Sequence, residues 1–482
     1  MSVSGGKFMN VLYAVGEANP FIATGGLGDV AGSLPQKIKE KLVNCRVVLP
    51  FYSDIPDNMR VKAKYITNFT VHLGWRHQYC GLFEAHIDGT IYYLLDNEYY
   101  FKRNGIYGHY DDGERFAFFS KAVLEMLQYI NFHPDVIHAN DWHTALIPTY
   151  KKLLYDEIKK YQNIKTVFTI HNIIYQGQFS LNFYTDVIGL RADQVSDLEY
   201  HGCINLMKSA IVTADKITTV SPTYSEEILD SYYSNGLDEI LKNNVCKLTG
   251  IINGIDTDKY NPETDECIFN NYSANDISGK AQNRTALQKL FNLPTDETIP
   301  LIGMVSRLVD NKGFDLVREA AEDILCNKSQ MIILGTGDTI NERFLQDLAN
   351  RYPGKMAVKI GFFPDIARKI YAGSDLFLMP SKSEPCGLSQ MIALRYGTIP
   401  IVRETGGLKD TVLDCSYDNG NGFTFKNYNV NDLIKTVRRA EDVYKLKDKW
   451  ETLVKRALDS NYCWQNSADQ YINLYKTLIS KN

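Results

Sequence analysis

The sequence predicts an α/β protein made of two doubly wound domains, and three observations predict it. Short apolar runs of strand length alternate with helix-spaced segments along almost the whole chain. The alternation breaks in an Asp- and Asn-rich stretch from about 256 to 278, then resumes. A Thr-Gly-Gly-Leu loop at Thr24–Leu27 recurs at Thr405–Leu408, once in each half. Paired glycines let backbone N–H groups approach an anion, and a helix that follows adds its positive end. Two such loops suggest one anionic, nucleotide-linked ligand gripped from both halves.

The elements follow in order. Asn10–Val15 is an apolar run of the kind a buried parallel strand needs. After the glycine loop a helix begins at Asp29, which can cap it; Val30, Leu34, Ile38 and Leu42 share one face, and Pro35 should bend it. Cys45–Leu49 is the next strand, and Phe69–Leu95 contains several strands separated by polar turns. Tyr99–Asp112 is rich in Tyr, Gly, Asn and Asp and reads as a functional or flexible loop. A helix over Arg115–Tyr129 leads to strands at Asp135–His138, Lys165–Ile170 and Lys216–Val220, each running into polar residues. In open α/β sheets ligands bind at that carboxyl edge. Near Gly250–Ile255 a strand meets an Asn-Gly turn, and the domain boundary falls after it. The second domain's strands fall at Pro300–Val305, Met331–Leu334, Ala357–Ile360, Leu376–Met379 and Ile399–Val402. A final helix places Tyr471, Leu474, Tyr475 and Leu478 on one face, to pack on the body.

Composition narrows the function. The 482 residues suffice for two to four domains at roughly 150 residues each. The 44% hydrophobic and 23% charged fractions are those of a soluble globular protein. A net charge of −5 gives no reason to expect nucleic acid, so an anionic ligand must be held by local cations. No uncharged apolar run is long enough to span a bilayer, and Met1–Asn10 reads as a disordered leader rather than a signal peptide. Nine scattered cysteines without a Cys-x-x-Cys pair point to reduced thiols in a cytoplasm rather than disulfides or zinc. The 31 tyrosines fit packing and surface positions better than sugar stacking, though aromatic faces suit sugars.

Candidate chemistry lies at the strand ends. Arg307 and Lys312, just past a buried strand, can hold a diphosphate, the arginine as a fork and the lysine as a point charge. Glu384 sits between a strand and a helix start, before Pro385; the residues alone leave open a dipole-stabilised carboxylate or a catalytic one. Cys386 lacks a histidine partner in sequence and reads as a packing or ligand-contacting residue rather than a nucleophile. His171 ends a strand before the polar Asn172, and either a structural or a functional histidine fits there. Asp141, Trp142 and His143 with His138 form no recognisable zinc pattern. Gly26–Ala31 formally matches a dinucleotide fingerprint, with Asp54 downstream, but the connection from Val15 is too long for the tight turn that motif requires. Asp256-Thr257-Asp258 could bind a metal–nucleotide complex, though a turn role is favoured after Asn253-Gly254.

Longer motifs point further. The chain carries TGGLGDVAGSLP at Thr24–Pro35, ERFAFFSKAVLE at Glu114–Glu125, HANDWHTALIP at His138–Pro148 and TIHNIIYQGQF at Thr169–Phe179. It also carries NGID at Asn253–Asp256, VSRLVDNKG at Val305–Gly313, PSKSEPCGLSQ at Pro380–Gln390 and TGGLKDTV at Thr405–Val412. With these, from about Asn10 to Lys476, it resembles the bacterial glycogen synthases and plant starch synthases, retaining glycosyltransferases of the GT-B type.

The resemblance implies two Rossmann-like domains facing a deep interdomain cleft: 8–253 on the glucan side, 254–460 on the donor side, and 461–482 crossing back onto the first domain. It implies glucose transfer from ADP-glucose, with UDP-glucose as the alternative donor, to the non-reducing end of an α-1,4-glucan primer. The anomeric configuration is retained and no metal or other cofactor is needed; front-face displacement and a covalent intermediate both stay open. Arg307 and Lys312 are then expected at the diphosphate, with Gly25, Gly26, Thr405, Gly406 and Gly407 near phosphate and sugar and Phe362 beside the base. Glu384, His171 and Asp141 would orient the glucosyl group, the His171 carbonyl facing C1. Thr24, Asp29, Asn253, Cys386, Gly387, Leu388 and Ser389 join the donor set, and Tyr107 and Asn172 the acceptor side. Many bacterial members carry lysine before this first loop, where this chain has Ala23. The competing readings are a related GT-B transferase with another donor or acceptor, and a glucan-binding protein without activity. The latter has no need to keep Glu384, Arg307, Lys312 and His171 together.

Overall fold

The computed structural model describes residues 8–326 and 329–480; of the leader expected over Met1–Asn10, residues 1–7 lie outside them, and Asn10 already opens a strand. The chain divides into two compact units: one takes the chain up to Val220, Ser225–Ile251 and the segment from Trp464, the other Ile252–Cys463 with Ser221–Tyr224. That last short exchange is invisible in sequence. It occurs because Ser221 Oγ donates to Pro385 O (2.8 Å) and Thr223 donates from N and Oγ1 to Asp410 (2.9 and 2.6 Å).

Unit 1 contains strands β1 (Asn10–Ala14), β2 (Asn44–Pro50), β3 (Lys64–Leu73), β4 (Arg76–Ile87), β5 (Thr90–Asp96), β6 (Val136–Asn140), β7 (Lys165–Ile170), β8 (Gln178–Phe179), β9 (Glu199–Tyr200), β10 (Cys203–Asn205), β11 (Lys216–Thr219) and β12 (Leu248–Gly250). Nine form one sheet in the order β12-β11-β7-β6-β1-β2-β5-β4-β3, and β8, β10 and β9 form a small one. The large sheet is parallel from β12 to β5, with β4 and β3 added antiparallel at the edge. Strand order reverses between β1 and β6, so their carboxyl ends flank the crevice where such sheets bind ligands.

Unit 2 contains β13 (Leu301–Val305), β14 (Gln330–Gly335), β15 (Met356–Ile360), β16 (Leu376–Met379), β17 (Ile399–Arg403) and β18 (Phe423–Phe425), all parallel in the order β15-β14-β13-β16-β17-β18. Its reversal falls between β13 and β16. Leu287, Leu293, Leu301, Ile332, Leu334 and Ile370 pack one side of this sheet. The buried Lys280 donates to Ala372 O, Ser374 O, Tyr396 O and Thr398 Oγ1, gripping the chain just before β16 and β17. One ammonium thus sets where the strand leading to Glu384 begins.

Several expectations need correction. The first helix starts at Gly26, so Asp29 lies inside its first turn instead of capping it, and accepts from Asn19 Nδ2 (2.8 Å). That helix runs through Pro35 and ends at Glu40; Leu42 is in the following turn at φ 64 and 75% exposed, not on the buried face. The last strand of unit 1 ends at Gly250, and the chain leaves the sheet after Ile251, whose N–H still donates to Thr219 O (2.8 Å). The short strand β18 was not expected, because three residues carry too little periodicity to register. The helix Trp464–Ile479 packs within unit 1, against the helix Gly26–Glu40, and Tyr475 donates or accepts at His138 Nδ1 (2.7 Å). No helix among the described residues is long and apolar enough to cross a membrane.

Candidate active site

In unit 2 the expected residues gather at the carboxyl ends of β13, β16 and β17. Glu384 is buried, and Lys312 Nζ donates to both of its oxygens, at 2.8 and 2.6 Å. Ser381 Oγ donates to the same carboxylate at 3.1 Å. Lys312 reaches this position because Gly313 follows it at φ 83, where a Cβ would stand 2.2 Å from Pro380 O. Only glycine lets that turn press against the backbone leaving β16. Arg307 is exposed at the end of β13. Phe362, 87% exposed, stands two residues past β15, two strands from Arg307 on the same edge.

The second glycine pair is packed against the backbone around Glu384. Gly406 lies at φ 43 with its would-be Cβ 2.0 Å from Glu384 O, and a Cβ on Gly407 would be 2.2 Å from Cys386 O. Gly407 N donates to Glu384 O and Pro385 O, at 3.1 and 3.2 Å. That N–H is therefore spent on the protein, and the glycines are there so that two backbones can meet. Thr405, itself buried, precedes them. Cys386 is buried and burial pushes its thiol up to about 12, which rules out a thiolate nucleophile at neutral pH. Gly387 turns at φ 73, Leu388 is half-buried, and Ser389 opens the next helix with its hydroxyl 3.1 Å from Tyr371 OH. Asn253 is buried, and its Oδ1 has no partner among the described residues.

In unit 1 the first loop is open: Thr24, Gly25 and Gly26 are exposed, and nothing lies within 4 Å of where a Cβ on Gly25 would be. It is held from beneath by Glu17, a buried carboxylate that accepts from Thr24 N (2.6 Å) and Thr24 Oγ1 (2.7 Å). Glu17 was not among the sequence candidates; nothing in its spacing distinguishes it from a surface glutamate. Burial raises its pKa, against the lowering effect of those hydrogen bonds.

Asp141 follows β6 with φ 57 and ψ 177, a region open essentially to glycine and costing about 1–3 kcal/mol in other residues. The strain aims its buried carboxylate across β7, where Oδ1 accepts from His171 N (2.8 Å) and Asn172 N (3.4 Å). Burial lifts the Asp141 carboxyl to about 7 despite those two donors. Burial likewise pulls His171 down to about 3, so its ring is neutral at physiological pH. The Glu17 charge, also in unit 1, raises the Asp141 pKa slightly further. The Tyr107 ring stacks on His143 with centroids 4.4 Å apart, and Tyr107 OH would lie 2.9 Å from a Cβ on Gly16, at the end of β1. Tyr107 OH and His143 Nδ1 are buried without a partner among the described residues. Buried polar atoms are seldom left so unless a ligand or water completes them.

The decoys resolve locally. His138 is fully engaged by Tyr475 OH and Thr169 Oγ1, and no group of three or more His, Cys, Asp or Glu among the described residues could hold a metal. Asp256 Oδ1 accepts from Asp258 N and Lys259 N, at 3.1 and 3.0 Å, the favoured turn role.

Residues 10–243 match the model of the starch synthase catalytic domain, and 287–456 that of the group 1 glycosyl transferases. Glycogen synthase of Bacillus cereus (strain Q1) is 50% identical over 477 residues, covering 98% of this chain and 100% of that protein. The chain belongs to the glycogen synthase family. Glycogen synthase of Geobacillus thermodenitrificans (strain NG80-2) is likewise 50% identical, over 479 residues covering 98% of each chain. The catalytic domain of starch synthase IV from Arabidopsis thaliana, bound to ADP and acarbose, superposes with a TM-score of 0.90 at 32% identity, covering 98% of this chain and 100% of that one. Sucrose-phosphate synthase of Thermosynechococcus elongatus, at 15% identity and a TM-score of 0.60, shares the fold alone. As a member of this family the chain is a glycosyltransferase with the GT-B fold.

Proposed function

We propose that this glycosyltransferase moves glucose from ADP-glucose to the non-reducing end of an α-1,4-glucan primer with retention of configuration, without a metal. The observation that carries the reading is the grouping of Lys312, Glu384 and the second glycine loop on the same sheet edge as Arg307, in a chain half identical to glycogen synthases. The starch synthase IV structure, which holds ADP and acarbose, supports a nucleotide and a glucan as the two ligands.

In this reading Arg307 and Lys312 meet the charge that builds on the diphosphate as the anomeric C–O bond breaks. One preorganised donor in a dry site supplies about 2.7–4 kcal/mol to such a step. Lys312 holds the Glu384 carboxylate in place until the donor arrives, and its three N–H groups can then serve both anions. Glu384 and Asp141 accept from glucosyl hydroxyls, and the neutral His171 contributes its ring and its carbonyl. Gly25 and Gly26 admit phosphate or sugar at the first loop; Thr24, Asp29, Asn253, Gly387, Leu388, Ser389 and Phe362 complete the donor contacts, and Tyr107 and Asn172 face the acceptor.

The test incubates the purified protein with a glucan primer and either ADP-glucose or UDP-glucose, with and without EDTA. Primer extension with ADP-glucose that survives EDTA supports the reading; extension with UDP-glucose alone changes the donor, and none with either donor overturns it. Glu384→Ala and Arg307→Ala should each lower turnover with the fold intact, and a variant that keeps full turnover removes its residue from the site.

A further inference from the structure

The carboxyl ends of β1, β6 and β7 are joined by one side chain. Asn140, the last residue of β6, is completely buried. Its Nδ2 donates to Ala14 O (3.0 Å) and His138 O (3.3 Å), while its Oδ1 accepts from Tyr13 OH (2.9 Å) and lies 2.9 Å from His171 Nε2. The two carbonyls settle which way the amide faces, since a flipped amide would set its oxygen against both of them. Oδ1 is then an acceptor only. One lone pair takes the Tyr13 hydroxyl, and the other requires a proton on the ring nitrogen beside it.

We infer that Asn140 is a positioning residue that locks His171 as the Nε2–H tautomer, leaving Nδ1 as a hydrogen-bond acceptor toward substrate. The ring therefore takes a proton donor, such as a sugar hydroxyl, and repels a phosphate oxygen. This goes beyond the proposed function by fixing which chemistry His171 can meet, and it rests on that reading only for the part His171 plays in turnover. Loss of the lock lets the ring sample the other tautomer, whose Nδ1–H cannot accept, and a neutral imidazole offers no third choice.

The full chain labelled with ¹⁵N-histidine tests this directly, because ring ¹H–¹⁵N correlations show which nitrogen carries the proton; the His171 signals are identified by their absence in His171→Gln. The expected spectrum has His171 protonated at Nε2 and bare at Nδ1. Asn140→Leu should add the Nδ1–H form and lower kcat by up to about 100-fold with little change in donor KM, whereas Tyr13→Phe, which removes only the other donor to Oδ1, should retain Nε2–H. A wild-type ring protonated at Nδ1 overturns the inference, as does an unchanged Nε2–H ring in Asn140→Leu. If Asn140→Leu does not fold, the wild-type and Tyr13→Phe spectra still decide it. A tautomer that shifts as expected while turnover stays at the wild-type rate upholds the lock and overturns the role given to His171 in the reaction.

Discussion

Lys312→Met removes a charge and keeps a stem of similar length, so it isolates what the ammonium does for Glu384. In the native protein the two side chains are 18% and 7% exposed, and the lysine donates to both carboxylate oxygens. Removing one partner of a buried pair costs about 3–5 kcal/mol, because the other charge stays in a place that water cannot reach. The residual exposure of Lys312 and the Ser381 hydroxyl, which still donates to Glu384, put the loss near the low end, about 3 kcal/mol. For a unit of this size each kcal/mol moves Tm by about 2–4 °C, so the transition of unit 2 should fall by roughly 6–12 °C. Differential scanning calorimetry of Lys312→Met, Glu384→Gln and the double variant reads this. The double variant, with no charge left to strand, should regain part of what Lys312→Met loses. If the single variant melts with the wild type, or the double melts as the sum of the singles, the pair is not a coupled buried unit and the reasoning fails. Turnover of Lys312→Met should drop on the order of 10²–10³-fold in either case, since the diphosphate loses a donor as well.

Other perturbations test the remaining parts of the site. Asp141, lifted by burial from 3.8 to about 7, holds a proton in the folded chain that the unfolded chain releases. The stability this contributes is complete below about pH 4 and is lost as pH rises through 7, so urea unfolding should weaken by roughly 4 kcal/mol across that window. Asp141→Asn should flatten the dependence, and an equal slope in both proteins removes Asp141 as its source. The two glycine loops should respond in opposite ways. Gly25→Ala, with open space around it, should leave Tm unchanged and raise the donor KM, whereas Gly406→Ala, 2.0 Å from Glu384 O at φ 43, should lower Tm and turnover together; matching responses would contradict the different packing of the loops. Ala23→Lys restores a cation at an exposed position and should tighten donor binding by isothermal titration, while unchanged affinity and turnover mean that the position is silent in this protein.

The architecture was legible because buried parallel strands advertise themselves. Runs such as Lys165–Ile170 and Leu376–Met379 have no polar face to hide, so their ends, and the polar residues just past them, could be read directly. Leu42 shows the limit: helical spacing continues through it, but the helix stops at Glu40 and the side chain turns to solvent. The roles of the residues that support the site were not legible. Asn140 acts on His171, 31 positions away just past the next strand, and no local pattern marks a partner set by strand order; Glu17 and Ser381 act within their own loops, 7 and 3 positions away on Thr24 and Glu384, through turns that no periodicity encodes.

The repeated Thr-Gly-Gly-Leu shows why a motif alone does not carry a role. In both copies the glycines permit something that a Cβ would forbid, yet what they permit differs. At Gly25 the surroundings are empty and Thr24 is pulled back by Glu17, so the loop offers its outer surface to whatever approaches. At Gly406 and Gly407 the neighbour is already present: it is the backbone from Glu384 to Cys386, and the Gly407 N–H is used to hold it. The first loop is thus left open at the surface, and the second seats the backbone that carries Glu384. A charge-bearing side chain would therefore act differently at the two pairs: at Gly25 it meets open space, and at Gly406 or Gly407 it displaces the backbone that holds Glu384 against Lys312.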